Sequence, residues 1–328
     1  MLILPEYIKS DTLTTHFCSD RLPMRALKNF LLDAAGTLPA IMVALLSMMP
    51  FRLLYIISDG FGLFLWGVVG YRRKVVLSNL QKAFPHHTRG ENYRIARKFY
   101  RHLADLIFET IALVTVSKGR IRKKIVLTEE SRSLLNRYHT QGRSAIMALG
   151  HYGNWEWMGA SINLLNDGQL VSAYRRLRIK PFDYLLRKTR LRFYRKLIPS
   201  EQLLRKMVSM KSAGEPAVFA LLADQWPPPG TAYWMQFLGQ DTPFFTGPEK
   251  LGKKLDYPVL FCSIRKSGRG RYSMHITELA VDPRGEPEME ITRRYVKLLE
   301  AEIRHAPEYW LWSHRRWKWQ RPLEEQKY

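Results

Sequence analysis

The stretch from Ser144 to Glu156 reads SAIMALGHYGNWE, a short apolar run followed by a turn with two glycines. Ala145–Leu149 has the length and composition of a buried strand, and Asn154 is a residue type that favours the N-cap of a helix beginning near Trp155. Open α/β sheets place reactive groups where a strand ends and a helix starts. The stretch therefore predicts a strand–turn–helix unit that presents His151 at the edge of a sheet.

The segments on both sides of this unit continue the pattern. Short β-rich runs alternate with amphipathic helices beyond Lys118, and upstream of it Pro85 divides two basic helices. Such alternation is typical of the α/β class and predicts a mostly parallel central sheet covered by helices. The predicted strands are Lys124–Leu127, Ser144–Leu149, Leu170–Tyr174, Ala217–Leu222, Val259–Ile264 and Tyr272–Ile276. The predicted helices run over Arg72 to about Ala83, Arg89 to about Val116, Glu129–Tyr138, a stretch from about Trp155, Phe182–Arg192, Glu201–Lys211 and Glu290–Arg304.

The chain divides into three predicted parts. They are an N-terminal extension (1–33), an apolar helical segment (34–71) and an α/β domain (72–328). The apolar segment begins too far from the first residue for a signal peptide, and it lacks a small-residue cleavage site.

The apolar segment contains two uncharged runs, residues 34–51 and 60–71, with Arg52 and Asp59 between them. Neither run reaches the roughly 20 apolar residues of a clean spanning helix. Basic residues on both sides favour a membrane anchor or interfacial helical hairpin with both ends in the cytoplasm. A single tilted span and a buried helical hairpin of a soluble domain are the alternatives. The flanking basic residues are Arg21, Arg25, Lys28, Arg72, Arg73 and Lys74.

The charge balance of the chain is strongly positive, with 52 Lys and Arg against 29 Asp and Glu and a formal net charge of +23. Nucleic acid, an anionic membrane surface, or acidic carriers and phosphorylated lipids would all be attracted by such a field. The chain has no zinc-finger spacing, zipper heptads or RNP-type motif, and its nine Trp and 16 Tyr suit a membrane interface. We therefore expect a membrane or lipid partner and no nucleic acid.

Several chemistries have no motif in this sequence. Cys18 and Cys262 are far apart, which disfavours a disulfide framework or cysteine metal site and fits a reducing compartment. The histidines show no metal-ligand spacing, and there is no Walker loop or dinucleotide fingerprint. Because a G-x-S-x-G elbow is also lacking, a serine acyl-enzyme is disfavoured. The sequence thus predicts neither a metal nor a cofactor.

His151 and Glu156 form the candidate catalytic pair. A histidine side chain exchanges protons near neutral pH and can act as a general base. Glu156 can curl back to hold one ring nitrogen and stabilise the imidazolium that forms. Taken alone, this pattern could equally be a capping turn in which both side chains only make local hydrogen bonds.

The wider sequence resembles the lipid A secondary acyltransferases, that is, the lauroyl/myristoyl transferase family within the lysophospholipid acyltransferase superfamily. The family's H-x4-D/E pattern appears here as HYGNWE, and the resemblance runs in order through roughly residues 35–320. Further matching stretches are GYRRKVVLSNLQKAFP (Gly70–Pro85), YRR (Tyr174–Arg176), ADQ (Ala223–Gln225), FTGPEKLGKKLDYPV (Phe245–Val259) and YWLWSHRRWKW (Tyr309–Trp319).

The resemblance implies acyl transfer from an acyl carrier protein thioester to a hydroxyl of a lipid A precursor, a phosphorylated glycolipid, at the cytoplasmic face of the bacterial inner membrane. It implies that His151 takes the hydroxyl proton and that Glu156 orients His151. By position, Arg175 matches the family's basic residue after this pair, and Asp224 and Gln225 match its ADQ stretch. These three are expected to bind substrate.

The residues are compatible with those roles. Ten Lys and Arg lie between Arg175 and Lys196, most of them on a solvated helix face, and an Arg fork can clamp a phosphate. Arg315 and Arg316 lie among tryptophans near the C-terminus, as cations at headgroup depth do, and are expected to bind the lipid. Base stacking on nucleic acid and plain core packing are the rival interpretations of these tryptophans.

Two alternatives to a lipid A acceptor remain at this stage. The acyl group could go to another membrane glycolipid, phospholipid or aminolipid. The protein could also be a non-catalytic protein that binds anionic membranes or nucleic acid through its positive surface.

Overall fold

The computed structural model describes residues 39–165, 168–174, 180–193, 196–227 and 232–321. The N-terminal extension predicted at 1–33 lies outside the described residues. The strands are β1 Ile125–Leu127, β2 Ala145–Leu149, β3 Leu170–Tyr174, β4 Lys196–Pro199, β5 Val218–Leu222, β6 Ala232–Phe237, β7 Gln240–Phe245, β8 Val259–Gly268 and β9 Arg271–Ala280. The helices are α1 (39–47), α2 Phe51–Leu63, α3 Arg73–Ala83, α4 Arg89–Ala112, α5 Lys118–Arg122, α6 Glu129–Thr140, α7 Trp155–Leu165, α8 Lys180–Leu191, α9 Leu203–Ser212, α10 Gly247–Leu255 and α11 Glu290–His305.

Seven strands form the central sheet in the order β1-β9-β8-β2-β5-β3-β4. All neighbouring pairs are parallel except the β8–β9 hairpin. Strands β6 and β7 form a separate antiparallel pair. The predicted α/β class with a mostly parallel sheet is confirmed.

Strand β2 lies in the middle of the sheet and has helices on both faces, which explains its unbroken apolar sequence. Successive side chains of a strand point to opposite faces. Ala145, Met147 and Leu149 pack in the same cluster as residues of α7, whereas Ile146 packs with α9 and α10 and Ala148 with α11. All five side chains are buried, so the end of β2 is held rigidly.

The apolar segment is helical where it is described. Helix α1 ends before Pro50, and α2 continues as a π-helical turn through Phe64–Val68. Arg52 and Asp59, which separate the uncharged runs in the sequence, lie inside this single helix. Phe51–Val68 is long and apolar enough to cross a membrane by length and composition.

Helix α2 is buried along one narrow stripe only. Leu54, Ser58 and Gly62, four residues apart, are its buried residues and face α4. Many of the large apolar side chains on the rest of α1, α2 and the following turn are exposed, which is unusual for a soluble protein surface. They include Ile41, Met42, Leu45, Met48, Leu53, Ile56, Leu63, Phe64, Val68 and Val69.

Buried charges tie α2 and α4 to the β8–β9 hairpin. Arg269 donates to Asp59 at 2.8 Å and to Asp105 at 2.7 Å, and Lys266 lies 2.9 Å from Asp105. Ser58 of α2 also donates to Asp105. Since Asp105 is almost completely buried, these partners are needed to offset its desolvation.

Candidate active site

The turn after β2 brings His151 beside the end of β5. These two strands are parallel neighbours, with Leu149 paired to Leu222, so their carboxyl ends meet at one edge of the sheet. His151 Nδ1 lies 2.6 Å from Asp224 Oδ1, and the backbone N–H of His151 donates to Asp224 Oδ2 at 2.8 Å. The carboxylate therefore fixes both the ring and the backbone of the turn.

Asp224 is buried and ionised. Burial on its own raises the pKa of a carboxyl group, but the charge and hydrogen bonds of His151, together with the indole N–H of Trp310, outweigh it and hold the Asp224 pKa at about 2. Trp310 Nε1 donates to Oδ2 at 2.9 Å. With three donors converging on it, the carboxylate keeps its charge without contact with water.

The ionised carboxylate determines the tautomer of His151. Asp224 accepts a hydrogen bond from the Nδ1–H of the ring, so the neutral ring has a lone pair on Nε2. Gln225 Nε2 lies 3.2 Å from this nitrogen, where its amide can donate. The unprotonated Nε2 of His151 thus faces the Gln225 side chain, which an incoming hydroxyl could replace.

Both glycines of the turn are closely packed, but only Gly153 is required, because at Gly150 the end of the Leu299 side chain could shift. A Cβ on Gly150 would lie 2.6 Å from Leu299 Cδ1. Gly153 has φ +63° and a Cβ there would lie 2.3 Å from the carbonyl oxygen of Ile264. The tight turn predicted from the sequence is therefore also a tightly enclosed one.

The helix start after the turn is anchored by a buried carboxylate from α4. Asn154 accepts the N–H of Trp157 at 2.9 Å, which confirms its predicted capping role, and donates to Glu109 Oε2 at 2.6 Å. Tyr55 and Tyr272 donate to the same carboxyl group. Burial raises the Glu109 pKa above its usual range. Glu109 thus connects α2, β9 and the turn that carries His151.

The structure does not place Glu156 against either ring nitrogen of His151, contrary to prediction. Those nitrogens contact Asp224 and Gln225 instead. Glu156 lies in the first turn of α7, and Arg190 of α8 donates to its Oε1 at 2.8 Å. Glu156 is therefore paired with a guanidinium, and Asp224 is the carboxylate that holds the ring.

The remaining predicted residues have different environments. Arg175 lies outside the described residues. Arg315 is exposed, as a lipid-binding cation should be. Arg316 is not: it is fully buried over the ring of Phe244, and burial lowers its pKa to about 10 despite the opposing charge of Asp224. The expected contact between Arg316 and a lipid headgroup is therefore wrong for this conformation, because the side chain is part of the core.

The tryptophans of this segment divide in the same way. Trp310 and Trp312 are buried in the core and Trp317 is half-buried, whereas Trp319 is 54% exposed. Core packing explains the first two rings, and Trp310 in addition holds Asp224.

Two cavities adjoin at the start of α7, directly after the turn that carries His151, and Trp155 and Glu156 line both. The first, about 310 Å³, lies over the ends of β3 and β5 and includes Arg190. The second, about 540 Å³, is an apolar groove between α1, α4 and α8. Its other lining residues are Val43, Leu103, Leu106, Ile107, Thr110, Ile111, Val114, Leu185, Leu186, Thr189 and Leu311.

Three residues of this site are not identified as functional by their neighbours in the sequence. Glu109 lies in an amphipathic helix and Arg190 within a run of basic residues, so neither stands out by its neighbours. Trp310 was noted only as an aromatic residue. A buried acid four positions after Asp105 on the same helix face is the one pattern that could have indicated Glu109.

The sequence is similar to those of known acyltransferases. The chain is 24% identical over 280 residues to the lipid A biosynthesis palmitoleoyltransferase of Escherichia coli (strain K12) and, by the same measures, to a lipid A biosynthesis acyltransferase of Shigella flexneri; each match covers 84% of this chain and 88% of the relative. A lipid A biosynthesis acyltransferase of Haemophilus influenzae is 23% identical over 270 residues, 82% of each chain. The model of the bacterial lipid A biosynthesis acyltransferase family matches residues 27–319. The protein is an acyltransferase that belongs to this family.

Proposed function

We propose that this enzyme transfers a fatty acyl group from the thioester of acyl carrier protein to a hydroxyl of a lipid A precursor, at the cytoplasmic face of the bacterial inner membrane. His151 is the general base, and Asp224 orients it. The observation that carries the proposal is the Asp224–His151 pair, 2.6 Å apart, with the His151 ring packed against Trp155, which lines both cavities.

The proton transfers follow from the tautomer. The acceptor hydroxyl takes the place of the Gln225 amide and gives its proton to Nε2 of His151 as its oxygen attacks the thioester carbonyl carbon. Asp224 stabilises the imidazolium formed. When the tetrahedral intermediate collapses, the C–S bond breaks, and the imidazolium returns the proton to the thiolate. The residues of the chain suffice for this sequence of steps, and no cofactor enters it.

The apolar groove supports an acyl-chain site. Its volume of about 540 Å³ is in the usual range of ligand pockets, roughly 300–1,000 Å³, and aliphatic side chains dominate its lining. Trp155 and Glu156 connect it to the turn that carries His151. A chain bound along α4 would therefore place its thioester near the base.

Glu156 has a different proposed role from the one expected. Its ion pair with Arg190 at 2.8 Å holds the guanidinium on the wall of the smaller cavity, over the ends of β3 and β5. From there Arg190 can stabilise the negative charge that develops on the thioester oxygen. Glu156 is on this account a positioning residue for Arg190. Arg175, the next residue after β3 in the sequence, is proposed to bind an acceptor phosphate.

Two properties of the surface support the donor and the location. The net charge of +23 would attract an acidic carrier protein. The exposed apolar side chains of α1 and α2 form a face that suits the membrane interface. Arg315 and the exposed Trp319 would add contacts at headgroup depth.

The direct test is transfer of labelled acyl chains from acyl carrier protein to a tetra-acylated lipid A precursor by the purified full-length enzyme. Wild type should form the product and His151→Ala should not. His139→Ala, an exposed histidine of α6, is the matched control and should retain full activity. Full activity of His151→Ala would refute the base. Transfer to another membrane glycolipid, phospholipid or aminolipid, with none to the precursor, would refute the acceptor.

A further inference from the structure

A second groove, of about 470 Å³, lies between α2 and the first half of α4, and its two walls differ in character. Leu63 and Trp66 form an apolar wall. The facing wall carries four exposed cations spaced so that they share one face of α4. These are Arg94, Arg97, Lys98 and Arg101.

Two of these cations have acidic neighbours. Arg101 donates to Asp59 at 2.9 Å, and Lys98 lies 3.6 Å from Glu308. Arg94 and Arg97 form no ion pair within the part of the chain that the structure describes, although Arg94 interacts electrostatically with Glu91 at longer range. Asp59 is moreover shared with Arg269. The groove therefore keeps a positive charge that the protein itself does not neutralise.

The groove opens beside the exposed apolar face of α2. Leu63 is 62% exposed and Val68 is 77% exposed. Trp66, packed edge-on against Tyr93 at 5.6 Å, is an amphipathic ring of the type found at headgroup depth. Cations directly next to apolar side chains match the boundary between lipid phosphates and acyl chains.

We propose that this groove binds the phosphate of an anionic glycerophospholipid of the membrane, with the lipid's acyl chains against α2. The proposal rests on the membrane association given under the proposed function and adds a specific site to it. A resident lipid fits better than the glycolipid acceptor because no residue of this groove lines either cavity at His151. The Arg94 and Arg97 guanidinium groups would hold the phosphate, with Lys98 and Arg101 at its sides.

The site can be tested by counting bound lipid, without any turnover. The full-length protein is released from nanodiscs of phosphatidylglycerol and phosphatidylethanolamine, and its lipid adducts are measured by native mass spectrometry. Wild type should favour phosphatidylglycerol. Each cation near an anionic surface contributes about a fivefold preference, so Arg94→Gln combined with Arg97→Gln should lower the ratio of the two adducts about 30-fold. Both positions are exposed, and the variant should fold.

The matched control removes the same charge elsewhere. Lys250→Gln combined with Lys254→Gln changes two exposed cations of α10, which packs on the sheet away from α2, and should leave the lipid ratio unchanged. An unchanged ratio in the arginine variant, or an equal fall in the control, would overturn the site. A rise in the KM for micellar lipid A precursor, with an unchanged lipid ratio, would assign the groove to the acceptor and also overturn it. The lipid count does not depend on acyl transfer. A failure of this lipid site can therefore be distinguished from a failure of the proposed enzymatic activity.

Discussion

Asp224→Asn changes the hydrogen-bond partner of His151 while keeping the size of the side chain. The carboxylate accepts two donors at Oδ2, the backbone N–H of His151 and the Trp310 indole, and the ring Nδ1 at Oδ1. Asparagine has a single acceptor oxygen, which the first two donors occupy. Its amide N–H then faces Nδ1 and forces the ring proton onto Nε2. The imidazole is left protonated at the atom that must accept the hydroxyl proton.

The expected loss is large because the wrong tautomer stops general base catalysis. When a triad histidine is held in the wrong tautomer, the reaction rate falls roughly ten-thousand-fold, which corresponds to about 5.5 kcal/mol of transition-state stabilisation. The 2.6 Å contact to an ionised Asp224 is also charge-assisted. Its replacement by a neutral bond should lower the free energy of unfolding by about 1–2 kcal/mol.

Initial rates of acyl transfer at saturating substrate measure the effect, with chemical denaturation as a check on folding. Glu156→Gln is the informative companion, because Glu156 contacts Arg190 and not the ring. That variant should lose about a hundredfold or less, as misplacement of a neighbouring group does. More than a tenth of wild-type activity in Asp224→Asn, or a greater loss in Glu156→Gln, would refute the assignment of the two acids.

Three other changes test separate parts of the structure. Burial, with the positive charge of Lys266, lowers the His102 pKa to about 3, while the unfolded chain takes up this proton below about pH 6.5. Stability should therefore fall by about 2 kcal/mol between pH 7 and pH 5 in chemical denaturation, and His102→Gln should remove that fall. Asn154→Ala, which loses the helix cap and the bond to Glu109, should lower the free energy of unfolding by about 2 kcal/mol in the same assay. Ile107→Trp should fill the apolar groove, and a competition between acyl donors should then favour shorter chains.

Each of these three predictions has a specific outcome that would contradict it. An unaltered pH dependence in His102→Gln would show that the ring does not stay neutral in the fold. Wild-type stability of Asn154→Ala would separate Glu109 from the catalytic turn. An unchanged preference of Ile107→Trp would exclude the groove as the chain site.

The fold around β2 could be predicted because its signal is local. The apolar run Ala145–Leu149, the glycines and the Asn154 cap all lie within one short stretch, and the structure has the strand, turn and helix where the sequence indicates them.

The sequence does not predict strands β4, β6 and β7. β4 and β7 contain proline, which usually argues against a strand, and β6 pairs only with β7 outside the main sheet. Helix α10 was missed because it begins with glycine and proline.

The site shows the same division between local and distant information. His151 could be identified from its own neighbours. The choice between Glu156, five residues away in the chain, and Asp224, 73 residues away, could not, because it depends on β2 and β5 being adjacent in the sheet. The charges of Arg52 and Asp59 are also a misleading signal. They separate two uncharged runs in the sequence, but one helix continues through both residues, and Asp59 is paired with Arg269. The burial of Arg316 could not be predicted for a similar reason: the sequence does not show that the ring of Phe244 lies beneath it.

The tautomer of His151 is the most direct test of the central claim, that Asp224 leaves Nε2 free to accept a proton. Nitrogen-15 NMR of histidine-labelled enzyme measures it, with the signal assigned by its loss in His151→Ala. We predict a proton on Nδ1 in the wild-type enzyme at neutral pH and a proton on Nε2 in Asp224→Asn. The same tautomer in both proteins, or a wild-type ring protonated at Nε2 alone, would contradict the account.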